Sequence, residues 1–318
     1  MRCLILNQKK LKILKLLKDN GGVSQRKLAE YTGFALGTTN NIIKELETNL
    51  YIIKEYEGGR FCYNVTNRGI EEIKKNSIKL AVILAAGLGS RLNSVTGDNI
   101  PKGMLEIEGK SLVERSINSL FENGIEKIII VTGHLSNYYD NLCEKYENIK
   151  TIKNSNYANT GSMASLAVAK DLIKEDFLLL ESDLIYEKRA IKELEYTDKK
   201  DCVLLSGKTN SGDEVYIEVR DNSIYKVSKD KHGLNSIYGE LVGIIKVSMD
   251  LFEKMIIEYS KNTNPQYHYE YAIEDSAKSY DVGYERIEDL IWAEIDDPNH
   301  LKRVLNEVIP KLKEKNEI

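Results

Sequence analysis

The 318-residue chain has only four cysteines, Cys3, Cys62, Cys143 and Cys202, and no two of them form a C-x-x-C pair. Neither a zinc ribbon nor a disulfide framework is expected, and this usage fits a reducing compartment. No apolar run approaches the ~20 residues of a membrane span, and the apolar stretch in MRCLILNQKK is too short for a signal peptide. A cytoplasmic protein is the expectation. The four histidines, His134, His232, His268 and His300, show no ligand spacing, so each reads as a surface or hydrogen-bonded residue rather than a catalyst. No G-x-S-x-G elbow is present. Tryptophan occurs once, against 19 tyrosines, so tyrosine at any one place carries little information.

What is present is an uneven charge. Residues 1–76 hold 14 Lys and Arg against 8 Asp and Glu, leaving 31 against 41 in the rest. Two different surfaces are joined, and the length suffices for two domains, 1–76 and 77–318.

In the first segment, NQKKLKILKLLK places Leu11, Leu14 and Leu16/Leu17 on one helical face, and Gly21-Gly22 ends that helix. Ser24 can cap a second helix that stops at Gly33. A third, LGTTNNIIKELETN, turns Ile42, Ile43 and Leu46 inward. YIIKEYE and RFCYNVT then flank Gly58-Gly59, a hairpin signal. Three helices and a hairpin resemble the winged helix-turn-helix domains of bacterial regulators over roughly Leu6 to Lys75. In such a domain the third helix enters the major groove, and Thr38, Thr39, Asn40, Asn41 and Lys44 would be its base and phosphate readers. Docking onto a partner or a second copy is the other reading.

From Ile78 the pattern alternates between strand and helix. IKLAVILAAG, IEKIIIVTG and DFLLLESD read as strands, the last continuously apolar as a buried parallel strand is. SLVERSINSLFENG reads as a helix with a Ser111…Glu114 capping box, and SMASLAVAKDLI as another over 162–173. The fold class is α/β, a mainly parallel Rossmann-like sheet with helices on both faces behind a small winged-helix domain. Ligands of such sheets bind beyond the carboxyl ends of the strands. Three features fall there: the loop LAAGLGSRL, Asp183 at a strand end, and the segment Asn156–Ser162, whose helix-start N–H groups would be free for a ligand. The loop is neither a Rossmann fingerprint, since Leu92 stands where the third glycine should, nor a Walker A loop.

Extended to AAGLGSRLNSVTGDNIPKGMLEIEGKSLVERSI, the loop resembles that of nucleoside-triphosphate transferases. These join an NTP to a phosphorylated small molecule and release pyrophosphate. The resemblance implies that Gly87, Leu88, Gly89 and Ser90 cradle phosphate, while Arg91 and Lys102 neutralise charge on the α-phosphate and departing pyrophosphate. Mg²⁺ would take oxygen ligands from Asp183, Glu294 and Asp296, the last two being two apart in WAEIDD. Only Asp183 earns that role by its strand-end position. Small residues at Ala85, Ala86, Gly161 and Ser162 would let the base lie against the backbone.

Leu80 to about Ile309 is most similar to the 2-aminoethylphosphonate cytidylyltransferases among the phosphocholine-type cytidylyltransferases. NSNYANTGSMASL, SGDEVYIE, IYGELVGI and HYEYAIEDSAK carry that likeness. It implies CTP and a small amino-phosphonate as partners, with the phosphocholine reaction as alternative, and a homo-oligomer without a membrane span. Lys208 and Ser211, with Lys229 behind them, would face the phosphonate; Tyr238, Glu240, Tyr269, Glu270 and Glu274 would face the ammonium. Whether carboxylates or an aromatic cage hold that ammonium stays open. A sugar-1-phosphate transferase and a CTP- or product-sensing DNA-binding regulator are the other readings. The winged helix is an addition to the family core, and no transaminase segment, which some members carry, lies within the 318 residues.

Overall fold

A computed structural model describes residues 6–318, so Cys3 and the start of the chain lie outside the described residues. The chain divides into two compact units. One ends at Ser77 and also takes in Glu195–Lys200; the other comprises Ile78–Leu194 and Asp201–Ile318. Among the described residues no helix is long and apolar enough to cross a membrane, and Cys62, Cys143 and Cys202 form no disulfide.

The first unit holds α1 (Gln8–Asn20), α2 (Gln25–Thr32), α3 (Leu36–Thr48), the hairpin β1 (Ile52–Glu57) and β2 (Arg60–Val65), and α4 (Asn67–Asn76). The side chains of Asn7, Ser24 and Thr66 accept from backbone N–H groups at the starts of α1, α2 and α4. Gly33 closes α2 at φ 72°, and Gly58 and Gly59, both at positive φ, make the two-residue turn of the hairpin. Leu14, Leu17, Leu28, Ile43 and Leu46 form the centre of its core. On α3, Thr38, Asn41 and Lys44 are exposed and Asn40 is half-buried. Thr39 departs from the expected groove-facing set. It is fully buried, and its hydroxyl donates to the Ala35 carbonyl at 3.3 Å. It lies three and four residues before Ile42 and Ile43, which puts it on the inward stripe of the helix.

The second unit runs β3 (Leu80–Ala85), α5 (Asn93–Thr96), β4 (Glu106–Ile107), β5 (Lys110–Ser111), α6 (Leu112–Glu122), β6 (Lys127–Thr132), α7 (Asn137–Lys145), β7 (Ile149–Lys153), α8 (Ser162–Val168), β8 (Phe177–Glu181), β9 (Leu184–Tyr186), α9 (Arg189–Tyr196) and β10 (Cys202–Ser206). After these come β11 (Tyr216–Arg220), β12 (Ser223–Ser228), β13 (Gly239–Val247), α10 (Met249–Lys261), α11 (Tyr269–Ala277), β14 (Gly283–Ile287), β15 (Trp292–Glu294), α12 (Pro298–Arg303) and α13 (Ile309–Glu314). The main sheet is ordered β12-β11-β13-β8-β3-β6-β7, with β10 beside β13 and β14 beside β10. β7, β6, β3 and β8 run parallel and carry the loop sites at their carboxyl ends. β13 then runs antiparallel to β8.

Both faces of the sheet are covered, which is why these strands read as continuous apolar runs. Leu80, Val82 and Leu84 enter one core, and Ala81, Ile83 and Ala85 the other. Helix α8 ends at Val168, earlier than the apolar pattern suggests, and two further turns of irregular chain follow. On β13 the register against β10 shifts between Ile245 and Leu241, around Gly243 at φ 80°. The Ser111 side chain caps α6 by accepting from Glu114 N, and its hydroxyl donates to Glu114 Oε2 at 3.0 Å. We expect Ser111→Ala to lower the stability of this unit by about 1 kcal/mol. Denaturant unfolding followed by fluorescence of the single tryptophan, Trp292, checks this, and Ser111→Thr, which keeps the hydroxyl, should recover most of the loss.

Candidate active site

The carboxyl ends of β3 and β8 open into a cavity of about 510 Å³. Its walls include all of residues 84–91, Lys102, Gly161, Ser162, Asp183, Glu294 and Asp296. The loop after β3 is shaped by Gly89, at φ 66°, where a Cβ would stand 2.7 Å from Lys102 Cγ. Only a glycine there lets the loop and Lys102 share the space. Pro101 starts the short turn that carries Lys102, and Gly103 abuts the Tyr139 hydroxyl and Ser182 so closely that a Cβ would collide with both.

Lys102 is the hub of the charges. Its ammonium, 16% exposed, meets Asp183 Oδ2 at 2.5 Å and also Asp296 Oδ1. Arg91 Nη2 takes the other oxygen of Asp296 at 2.8 Å, and Arg91 Nη1 donates to Asp213 Oδ2 at 2.8 Å. Burial alone would pull the Lys102 pKa down. The carboxylates of Asp183, Asp296 and Glu294 outweigh it and hold the ammonium above its ordinary range. For Asp296 burial acts upward, but Lys102, a hydrogen bond from Glu294 and Arg91 keep its carboxyl well below the usual value.

A second group of charges lies beside this one. Oxygens of Glu181, Asp183 and Glu294 all lie within 4.8 Å of one another. Burial, then Asp183 and Glu270, push the Glu181 carboxyl well up. Burial, then Asp183, Glu181 and Asp296, do the same to Glu294. The Tyr269 hydroxyl donates to Glu181 Oε1 at 2.8 Å. The set expected from the sequence was Asp183, Glu294 and Asp296; here Glu181 stands in the third place, and Asp296 is turned to Lys102 and Arg91. Sequence reasoning passed over Glu181, the last residue of β8, which stands two residues before Asp183 in the turn between β8 and β9.

Backbone pairing fixes these carboxylates. β15 pairs antiparallel with β9, setting Glu294 opposite Leu184, and Ile295 N donates to Asp183 O at 3.1 Å. Asp296 N donates to Nδ1 of buried His300 at 3.3 Å. Glu181 also depends on β13, because a Cβ on Gly243 would come 2.7 Å from Glu181 Oε2.

The start of α8 differs from expectation. Its N–H groups are engaged: Gly161 N donates to Pro265 O at 2.8 Å, Ser162 N to His268 Nδ1 at 3.3 Å and Met163 N to Tyr267 O at 3.3 Å. Their partners come from a segment about a hundred residues later, which no local pattern reveals. Gln266 and His268 from that segment line the cavity.

A smaller cavity of about 70 Å³ shares Glu181 and Glu294 with the first. Ser211, Glu270, Lys229, Glu214 and Trp292 are among its lining residues. Of the acceptor residues expected from sequence, Ser211 and Glu270 lie here and Tyr269 reaches it through Glu181. Lys208, Tyr238, Glu240 and Glu274 line neither cavity. Glu240 is buried and accepts from Thr209 N and Oγ1 at 2.8 and 2.7 Å. Glu274 accepts from Val227 N at 2.7 Å, Tyr238 packs edge-on to Tyr284, and Lys208 points to solvent.

Removing Lys102 would strand two buried carboxylates. We expect Lys102→Met to destabilise the unit by about 3–5 kcal/mol in the absence of ligands. Adding Asp296→Asn to it should restore part of the loss, a coupling that a double-mutant cycle of denaturation midpoints reads directly.

Residues 81–230 match the model of the MobA-like NTP transferase domain, and residues 6–49 match that of a winged helix-turn-helix DNA-binding domain. A CTP:phosphoglutamine cytidylyltransferase of Campylobacter jejuni is 28% identical over 195 residues, 56% of this chain and 77% of that protein. A choline-phosphate cytidylyltransferase of Streptococcus pneumoniae is 38% identical over 31% of this chain and 42% of its own length. A 2-aminoethylphosphonate cytidylyltransferase of Lancefieldella rimae is 31% identical over 33% of this chain and 43% of its own. The chain thus matches less than half the length of these last two relatives. Among solved structures, the inositol-1-phosphate CTP transferase from T. maritima superposes with a TM-score of 0.66 over 75% of this chain and 98% of that one, at 21% identity, a likeness of fold. The MobA-like match begins in β3 and ends just after β12, and the winged helix-turn-helix match spans α1 to α3.

Proposed function

We propose that the second unit transfers CMP from CTP to 2-aminoethylphosphonate, releasing pyrophosphate, in the cytoplasm. The reading is carried by one observation: a glycine-loop cavity where two cations face a partly buried carboxylate cluster, with a small acid-lined cavity adjoining it. In the reaction a phosphonate oxygen attacks the α-phosphorus and the α–β bridging P–O bond breaks. A phosphonate is already anionic near neutral pH, so no base need remove a proton.

The chain's own residues have these tasks. The glycine loop holds the β- and γ-phosphates. Arg91 and Lys102 balance the charge that passes to pyrophosphate. Glu181, Asp183 and Glu294 offer hard oxygen donors, the chemistry that suits Mg²⁺, and their mutual crowding favours a cation among them. The bound ion would supply charge neutralisation on the phosphate oxygens. In the small cavity Lys229 and Ser211 suit the phosphonate and Glu214 and Glu270 the ammonium. Trp292 is the single aromatic residue on its wall, which favours carboxylates over an aromatic cage and so a primary ammonium over choline.

Purified full-length protein with Mg²⁺ and CTP should release pyrophosphate with 2-aminoethylphosphonate at a kcat/KM at least tenfold above that with phosphocholine. Asp183→Ala should abolish turnover, and Glu181→Gln should raise the Mg²⁺ needed for half-maximal rate more than Asp296→Asn does. Faster turnover with phosphocholine would transfer the reading to that acceptor. CTP binding without turnover on any acceptor would sink the enzyme and favour a sensor.

For the first unit we propose duplex DNA as partner, because α3 exposes Thr38, Asn41 and Lys44 on a unit rich in lysine and arginine. Binding to duplex DNA should weaken steeply with salt, and Lys44→Glu should reduce the slope by about one. Indifference to DNA at low salt would make the unit a docking module.

A further inference from the structure

We propose that Asp213 competes with pyrophosphate for Arg91, and that by recapturing Arg91 it promotes product release. The inference rests on the reading of Arg91 as a ligand of the triphosphate. Asp213 lies on the loop between β10 and β11, just after Gly212 at φ 101°. One carboxylate oxygen receives Arg91 Nη1 at 2.8 Å and the other receives Lys229 Nζ at 2.8 Å. Arg91 has one further carboxylate contact, Asp296, with Glu294 adding to the field around it.

The guanidinium is thus engaged at its two terminal nitrogens by carboxylates from different segments. A triphosphate that takes Arg91 must displace at least one of them. Asp296 is deeply held, 6% exposed and also tied to Lys102, so it is the costly partner to separate. Asp213 is the cheap one. Its side chain is 24% exposed, and Arg91 is 55% exposed. When Arg91 leaves, Asp213 keeps Lys229 as counter-ion, so no charge is stranded. The exchange is one carboxylate for one phosphate oxygen on the same guanidinium. It reverses when pyrophosphate, freed from the nucleoside, has lost the base and ribose contacts that helped CTP win. Asp213 therefore weakens CTP and pyrophosphate alike, and turnover gains from the weaker hold on product.

Calorimetric titration of the full chain with pyrophosphate, CTP and CMP, each with Mg²⁺, tests this. Asp213→Asn should tighten pyrophosphate and CTP by about two- to fivefold, the scale of a half-exposed ion pair, and leave CMP, which lacks the β- and γ-phosphates, unchanged. The gain should shrink as salt rises. In the steady state KM for CTP and the inhibition constant for pyrophosphate should fall with kcat, and Asp213→Glu should restore all three. Pyrophosphate and CTP affinities that stay unchanged or weaken overturn the inference, as does a tightening of CMP by the same factor. Wild-type protein that binds neither CTP nor pyrophosphate overturns the reading of Arg91 and this inference with it; binding that Asp213→Asn fails to tighten overturns the inference alone.

Discussion

A buried ammonium held between two carboxylates organises the second unit. Lys102 lies between Asp183 and Asp296, and the three come from a turn after β3, the end of β8 and the end of β15. Charges taken out of water must be matched closely or the fold loses several kcal/mol, so these three segments cannot drift independently. The neighbouring packing obeys the same demand. Glycines stand where side chains would force Lys102 or Glu181 aside, at positions 89 and 243, and Gly103 leaves room for the Tyr139 hydroxyl and Ser182. The β9–β15 ladder fixes the register in which Glu294 and Asp296 arrive, and a one-residue slip would turn them to the other face.

Cations and carboxylates therefore alternate through the site. Arg91, Lys102 and Lys229 are each paired with an aspartate, while burial and then Asp183 raise the carboxyl pKa values of Glu181 and Glu294. A site for a polyanion and a cation has to be assembled this way. Cations alone would bind phosphate but repel one another in the free protein; carboxylates alone would do the same. Interleaving them lets the fold stand without ligands and lets exchange of partners accompany binding.

Much of this frame is legible in the sequence. The parallel strands follow from runs whose alternate residues, such as Val82 and Ile83, enter opposite cores. The caps at Ser24 and Ser111 and the glycine turn at 58–59 follow from local chemistry. What escapes is long-range. The engagement of Gly161, Ser162 and Met163 by residues 265–268 joins segments with no shared pattern. Asp213 becomes a partner of Arg91 over 122 positions of chain. Thr39 escapes for the opposite reason, since a polar residue can occupy a helix's buried stripe if its hydroxyl finds a carbonyl in the preceding turn. Glu240 and Glu274 show the limit of reading acidic residues as ligand contacts, because each is spent on a backbone N–H of its own fold.

On the proposed functions, the division of charge between the two segments bears on which polyanion each would meet. Beyond residue 76 the chain holds 41 acidic against 31 basic side chains, yet its cavity presents Arg91 and Lys102. At physiological salt charges are screened beyond about 8 Å, so a nucleotide entering that cavity would respond to the interleaved cations and carboxylates of its wall rather than to the overall excess of acid. A duplex is larger than the cavity and samples the outer surface, where the acidic excess disfavours it. The first segment, with 14 basic against 8 acidic residues, meets the opposite condition. On the functions proposed for the two units, small phosphates and long ones would be sorted by the distance over which each feels the protein's field.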